Sequence, residues 1–255
     1  MEDQKGTVSF PGLIPISDQL AARVWCVPAG QPRETVLWQL GLQGLELACK
    51  AWAVTAAALE QSGLLDDALA SCENCLMYAP DGTVGLESDP RQEMNEGTLA
   101  TFPGSHGDFS TSTRSRAARW WSAACAIQGR CLLQMVDPST QDRTQRDALR
   151  HRAVFAFALS CRWAALAKDP ASVRSAATHL LGAIKPLDGT VVSRGQLVPY
   201  LRCALHAMLE VGSQSDPRLV AAIGARAARA MLAAGENQAA LQLLAEVFEA
   251  VPVPL

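Results

Sequence analysis

Apolar residues recur along most of the chain at spacings of three and four, which is the period of an amphipathic helix. Residues 33–62 keep this pattern without a proline until Gln61-Ser62-Gly63 interrupts it. Strict alternation of apolar and polar residues, which is typical of a strand, is missing. The pattern therefore predicts an all-α fold without a sheet. Further helices are predicted over residues 64–78, 115–135, 143–167, 170–185, 197–211, 217–234 and 237–250.

Proline, aspartate and glycine mark the predicted boundaries. Asp169-Pro170 and Asp216-Pro217 each place an N-cap carboxylate before a proline in the first helical turn. Residues 189–195 are predicted to be a connector. Residues 79–113 combine proline, glycine, serine, threonine and acidic groups without any period. Such a segment cannot offset its ordering entropy by burial, so we expect a mobile insertion.

Two segments near opposite ends of the chain share a spacing when Gly63 is aligned with Gly235. The aligned pairs are Ala68 and Ala240, Cys72 and Leu244, Leu76 and Phe248, and Pro80 and Pro252. The small residue of the first pair lets two helices approach closely, and the apolar pairs are predicted to face the same way. Trp52 is predicted to fill the gap between the first two helices, and Gly224 takes its place in the second segment.

This spacing resembles the tetratricopeptide repeat, a helix-turn-helix unit. The resemblance covers residues 49–80 and, with fewer matches, 221–252. It implies antiparallel helix pairs stacked as an α-solenoid, which acts as a non-enzymatic scaffold for protein–protein interactions. The organisation expected is an N-terminal arm or cap (1–31), a helical pair (32–80), a disordered acidic insertion (81–113) and a continuing repeat region (114–255).

A second resemblance concerns residues 164–187 and the helices that follow. Through Ala177, Leu181, Pro186 and Leu187 this segment is similar to large cilia- and flagella-associated proteins of the axonemal central apparatus. The resemblance implies a structural role in a cilium or flagellum, with other axonemal or filament-associated subunits as partners. The alternative is a soluble adaptor of the tetratricopeptide type that binds a partner peptide transiently.

Composition narrows the class of protein. The chain is 49% hydrophobic and 18% charged with a formal net charge of -3, so it is neither wholly disordered nor obviously built for nucleic acid. Its apolar runs are too short to predict a membrane span. The first residues lack the apolar segment of a secretory signal, so a cytoplasmic location is expected.

Charge is segregated along the chain, with acids concentrated in residues 60–108 and arginines in 114–162. Arginine suits bidentate contacts to carboxylates, so a basic face for an acidic protein partner is one interpretation. The others are ordinary solvated faces, or an acidic insertion that folds back on the basic helices. Consecutive residues lie about 100° apart on a helix, so one tryptophan of the Trp120-Trp121 pair could point away from the core unless a broad buried face holds both. The predicted partner-binding residues are Arg114, Arg116, Arg119, Trp120, Trp121, Arg143, Arg146 and Arg150.

No catalytic residue, cofactor site or metal site is predicted, and the chain is not expected to be an enzyme. Cys72 and Cys75 form a CxxC pair, but it lies in mid-helix and no second pair of ligands accompanies it. Both are therefore interpreted as structural cysteines. An enzyme built on this pair is the third alternative, after the scaffold and the adaptor.

Overall fold

The computed structural model describes residues 33–79, 111–187, 191–212 and 216–251. All regular structure in these ranges is helical, so the predicted all-α fold without strands is confirmed for them. The chain divides into two compact units, Met1–Leu40 and Gly41–Leu255, and of the first only the start of one helix is described. The helices are α1 (Arg33–Gln61), α2 (Leu65–Leu76), α3 (Thr111–Gln134), α4 (Arg143–Leu166), α5 (Pro170–Ile184), α6 (Val191–Gln196), α7 (Val198–Glu210), α8 (Pro217–Ala233) and α9 (Asn237–Ala250), with a 3-10 turn at Lys185–Leu187.

The N-terminal arm predicted for residues 1–31 lies outside the described residues, as does most of the insertion predicted for 81–113. The last residues of that insertion belong to α3, which begins at Thr111. Residues 189–195 were predicted as a connector, and this is wrong for the part that forms α6. Because α6 packs against α8, tertiary contact overrides the weak helix propensity of its valines and glycine.

Aspartate caps begin three of the helices. Asp142 accepts a hydrogen bond from the backbone N–H of Gln145, whose side-chain oxygen accepts from the backbone N–H of Asp142, a complete capping box for α4. Asp169 and Asp216 cap α5 and α8, each with proline in the first turn. These two caps confirm the boundaries expected from the aspartate-proline pairs.

Helix α4 is the centre of the core. It packs against α3, α5 and α7, and residues 153–165 are buried with the single exception of half-buried Phe155. Alanines occupy many of these positions, which lets several helices approach one axis. The ring of Phe157 lies directly against Gly129 of α3, where a Cβ would come within 2.7 Å of it. The α3–α4 contact therefore depends on a glycine.

Three helical hairpins are closed by the same turn. The second residue after the first helix adopts a left-handed backbone in each: Gly63 (φ 75°), Lys168 (φ 54°) and Gly235 (φ 85°). The next residue donates its N–H to the carbonyl five positions back, at 3.0, 3.0 and 2.9 Å. These are the main-chain bonds of a Schellman-type C-cap. The alignment of Gly63 with Gly235 thus pairs two equivalent turns, and Lys168 marks a third that the alignment did not include.

The aligned helices α2 and α9 agree in their small positions and differ in their large ones. Ala68 and Ala240 are both buried, as expected for close helix approach. Gly224, the counterpart of half-buried Trp52, lies under Val247: a Cβ on it would come within 2.6 Å of Cγ2 of Val247. Leu76 is buried whereas Phe248 is 70% exposed, although Phe248 shares a helix face with Leu244 as Leu76 does with Cys72. The helix that α9 packs against is α8, whereas α2 also packs against α3.

Candidate functional site: a basic pocket on α3

The register of α3 against α4 determines where the predicted partner-binding residues lie. Ser122 and Ser160 each donate their hydroxyl to the other's backbone carbonyl at 2.9 Å, and both are buried. One turn along, the rings of Trp121 and Trp163 meet edge to face with centroids 5.1 Å apart. The two helices therefore run antiparallel, and the beginning of α3 lies beside the end of α4.

A pocket of about 320 Å³ opens at this end, and we call it the basic pocket. It brings together Arg116, Arg119 and Trp120, three of the predicted partner-binding residues. The remaining lining residues are Glu46 of α1, Ser115 of α3 and Ala167 at the end of α4.

Electrostatics in the basic pocket favour an anionic occupant. The Arg116 side chain is 69% exposed and reaches Glu46 only at 3.9 Å, the long end of an ion pair. Arg119 is exposed and, within the part of the chain that the structure describes, forms no ion pair. Lys50 Nζ lies 5.7 Å from the centre of the Trp120 ring, a cation–π distance. Two guanidinium groups, one carboxylate and one half-buried aromatic ring thus line the pocket, and an ammonium lies against that ring.

Trp121 does not belong to this surface. Its side chain is 1% exposed and packs on Trp163, so its placement among the partner-binding residues is corrected: it is part of the core. Trp120 is the member of the pair that reaches the surface. The backbone of Arg114 lies in α3, but its side chain is outside the described residues.

Arg143, Arg146 and Arg150 lie at the other end of the α3–α4 hairpin. At 1.5 Å per residue the antiparallel register separates them from Arg116 by roughly 25 Å or more. Arg143 and Arg150 both pair with Asp147, at 3.6 and 3.1 Å, while Nε of Arg146 donates to the backbone carbonyl of Asp142. The arginines of residues 114–162 therefore form two groups instead of one basic face, and in the second group two arginines share one aspartate of their own helix.

Cys72 and Cys75, the CxxC pair, are buried in the core, in contrast to the exposed arginines of the basic pocket. Burial, followed by the charges of nearby Cys131 and Cys125, raises the pKa of the Cys72 thiol. A hydrogen bond with Cys49, followed by burial, raises the pKa of Cys75, whose Sγ donates to the Cys49 carbonyl at 3.4 Å. A reactive CxxC needs a lowered thiol pKa, so the geometry favours small hydrophobic packing groups.

A metal site requires several ligating side chains that lie close together. Across residues 33–79, 111–187, 191–212 and 216–251, no three His, Cys, Asp or Glu side chains are arranged to hold a metal ion. Of the helices described, none offers an apolar stretch sufficient to cross a membrane.

Sequence reasoning did not identify Glu46, Lys50, Ser115 or Ala167 as neighbours of the predicted arginines. Glu46 and Lys50 come from α1, and their position depends on how that helix packs against α3. A spacing of four between an acid and a lysine on one helix is a common surface pattern, so it gives no signal of a site.

Comparison with known proteins identifies no relative: no model of a known protein family matches the chain, and no curated protein is significantly similar to it.

Proposed function

We propose that the chain is a non-enzymatic helical scaffold for protein–protein interactions, and that the basic pocket binds an acidic segment of a partner. The observation that carries the proposal is the convergence of Arg116, Arg119 and Trp120 in one pocket. Guanidinium groups bind carboxylates in a bidentate manner, and a half-exposed tryptophan supplies apolar contact area beside them. Unreactive buried thiols at Cys72 and Cys75 are in keeping with a role without catalysis.

The scaffold is proposed to be a tetratricopeptide-like solenoid. Three hairpins closed by the same turn support this, as does the packing of most helices against their neighbours in chain order. Stacked hairpins offer a large surface per residue, which suits a protein that holds partners together. A structural role in a ciliary or flagellar axoneme stays a prediction based on the sequence resemblance alone.

A transient adaptor is the second candidate, and the exposure of Arg116 favours it. Ion pairs between solvent-exposed groups are weak and are screened by salt. A partner held only through this pocket should therefore dissociate as ionic strength rises, whereas a permanent subunit of an assembly should not.

The test measures binding of a fluorescein-labelled decaglutamate peptide to the full chain by fluorescence anisotropy. The double variant Arg116→Glu/Arg119→Glu should weaken binding at least tenfold. The matched control Arg143→Glu/Arg146→Glu introduces the same charge at the other end of the hairpin and should change binding less than threefold. Equal losses in both variants, or no binding to the unmodified chain, would overturn the basic pocket as the site.

Ionic strength then separates the two candidates. Partners captured by the tagged chain from a native lysate are compared in about 0.05 M and 0.5 M salt, where the Debye length falls from about 14 to about 4 Å. Retention of one complex at both concentrations supports the permanent scaffold. Its loss at high salt, together with its loss in Arg116→Glu/Arg119→Glu, supports the adaptor.

A further inference from the structure

Helix α9 and the end of α8 present apolar side chains to solvent. Leu241 is 68% exposed, Phe248 70% and Leu232 52%, while Leu244 between them is half-buried. Leu241, Leu244 and Phe248 follow one another at spacings of three and four, so they form one stripe along α9. We call these four residues the terminal apolar face. Single exposed leucines are ordinary, but an aligned stripe of this kind marks an interaction surface.

The first hairpin shows what covers the same positions elsewhere in this chain. With Gly63 aligned to Gly235, the terminal apolar face corresponds to Glu60, Leu69, Cys72 and Leu76. Leu69, Cys72 and Leu76 are all buried, and α3 packs on α2 in addition to α1, whose Cys49 carbonyl accepts from the Cys75 thiol.

Two contacts show that this side of the first hairpin faces α3. The thiol of Cys75, which lies between Cys72 and Leu76 in α2, donates to the backbone carbonyl of Trp120 of α3 at 3.8 Å. Glu60 accepts two hydrogen bonds from Arg130 of α3, at 2.7 and 2.6 Å. Each position of the terminal apolar face thus has a counterpart in the first hairpin that is buried or bonded, and Glu60 is bonded to the following helix.

We propose that the terminal apolar face docks an amphipathic α-helix of a protein partner, which covers α9 as α3 covers α2. The contact of α2 with α3 indicates the chemistry of this partner helix, the occupant of the face. Leu232 aligns with Glu60, which binds an arginine of α3, so the partner helix places an apolar side chain at this position instead of an arginine. Its apolar residues repeat every three to four positions, and it runs along the length of α9.

Charge at the borders of the face completes the description of the partner. Exposed Glu249 lies on one border of the stripe along α9, and exposed Arg229 lies one turn before Leu232 on α8. The occupant therefore carries a basic residue on the flank next to Glu249 and an acidic residue on the flank next to Arg229. Val247 packed on Gly224 fixes α9 against α8, so the face is formed before the partner arrives.

This inference rests on the proposed scaffold function, but it uses a surface other than the basic pocket. The test pans the full chain against a phage-displayed library of helix-forming peptides in which one stripe and its two flanks are randomised. The double variant Leu241→Glu/Phe248→Glu is panned in parallel. Gln242→Glu is the matched control, because it adds one charge at an exposed position outside the stripe, on the same border as Glu249.

Enrichment of peptides with an apolar stripe and one basic flank supports the proposal if the best of them binds Gln242→Glu at least as tightly as the unmodified chain. The same peptide must lose at least tenfold in affinity for Leu241→Glu/Phe248→Glu. Failure to enrich such peptides on the unmodified chain overturns it. Sedimentation that shows a dimer lost only in the double variant would assign the face to a second copy and also overturn it. A lowered melting temperature of the unliganded double variant would show that the chain covers the face itself, with the same consequence.

These outcomes are independent of the decaglutamate test. The double variant leaves Arg116 and Arg119 in place, so it should still bind the acidic peptide. If helical peptides fail to bind but decaglutamate binds normally, the docking of a helix on the terminal apolar face is overturned and the function proposed for the basic pocket is retained. If both fail, the scaffold function is overturned as well.

Discussion

Arg130 of α3 clasps Glu60 at the end of α1 through two parallel hydrogen bonds, from Nε to one carboxylate oxygen at 2.7 Å and from Nη2 to the other at 2.6 Å. The Glu60 side chain is only 10% exposed. The hydrogen bond and the charge of Glu60 raise the pKa of Arg130 above its ordinary value, against the effect of burial. This pair joins two helices through residues that are 70 positions apart in the sequence.

Replacing Arg130 should therefore be costly. Arg130→Met leaves the Glu60 carboxylate without its charged partner in a nearly buried site and should lower the free energy of unfolding by about 2 kcal/mol. The measurement is urea denaturation at pH 7. Arg143→Met, which removes a 74% exposed arginine, should cost less than about 0.5 kcal/mol. Additive losses in Arg130→Met/Glu60→Gln would contradict the coupling of this pair.

Two glycines inside helices should respond to alanine in opposite directions. Gly129→Ala places a Cβ about 2.7 Å from the buried Phe157 ring and should destabilise the chain by about 1–3 kcal/mol. Gly182→Ala in α5 meets no atom within 4 Å and should stabilise it by about 0.5–1 kcal/mol. Thermal unfolding of both variants checks this. Partial rescue of Gly129→Ala by Phe157→Leu is expected, and a neutral Gly129→Ala would show that the two helices can separate.

The turn at Lys168 should be improved by glycine. Lys168 has a φ of 54°, a conformation that costs a side-chain-bearing residue about 1 kcal/mol. Lys168→Gly should therefore raise the stability by about 0.5–1 kcal/mol. Gly63→Ala should lower it by about 1 kcal/mol through backbone strain alone, since a Cβ there has no neighbour within 4 Å. Chemical denaturation of each variant gives the sign, and the same sign for both would contradict the assignment of equivalent turns.

The paired cysteines should be inert in the native chain. With the pKa of Cys72 and Cys75 raised, almost no thiolate is present at pH 8, and both sulfurs are buried. Iodoacetamide at pH 8 should leave both unmodified in the native state and modify both in urea, as read by peptide mass spectrometry. Rapid labelling of either residue in the native state would restore the CxxC enzyme as a candidate.

His179 should make stability depend on pH. Its ring stacks on Phe157 with centroids 5.4 Å apart, and burial, followed by the charge of Arg130, lowers the pKa of His179 below 6.5. Between that lowered pKa and 6.5 the unfolded chain binds more protons than the folded chain, so this contribution is complete above pH 6.5 and is lost as pH falls. Melting temperatures from pH 7 to 5 should fall less in His179→Gln. An NMR titration that places the pKa of His179 at or above 6.5 would contradict this.

Local sequence signals predicted most of the helices but not how they assemble. Asp169-Pro170 and Asp216-Pro217 each begin a helix through contacts within its first turn, so these N-caps can be predicted from the sequence. Phe248 is exposed because no described helix packs over that side of α9. Whether a further helix packs there is not indicated by the local sequence pattern. The helix α6 was missed for the same reason, because its partner α8 lies beyond the next helix.

The candidate site was predicted in part. The arginines of 114–119 and Trp120 were selected from the sequence, and three of them line one pocket. The arginines of 143–150 were placed on the same face, which the antiparallel register of α3 and α4 separates by the length of a hairpin. The sequence does not give the register of the two helices. The contacts of Ser122 with Ser160 and of Trp121 with Trp163 show it, and they place the two groups of arginines at opposite ends of the hairpin.

The three hairpin turns are held together by backbone atoms, and one residue in each must tolerate a left-handed conformation. A turn formed by backbone hydrogen bonds places few constraints on the identity of the neighbouring side chains. Substitutions can then accumulate in both helices of such a hairpin while its backbone conformation is kept. Homology between these hairpins, or with other proteins, would therefore be detected by backbone superposition sooner than by sequence alignment.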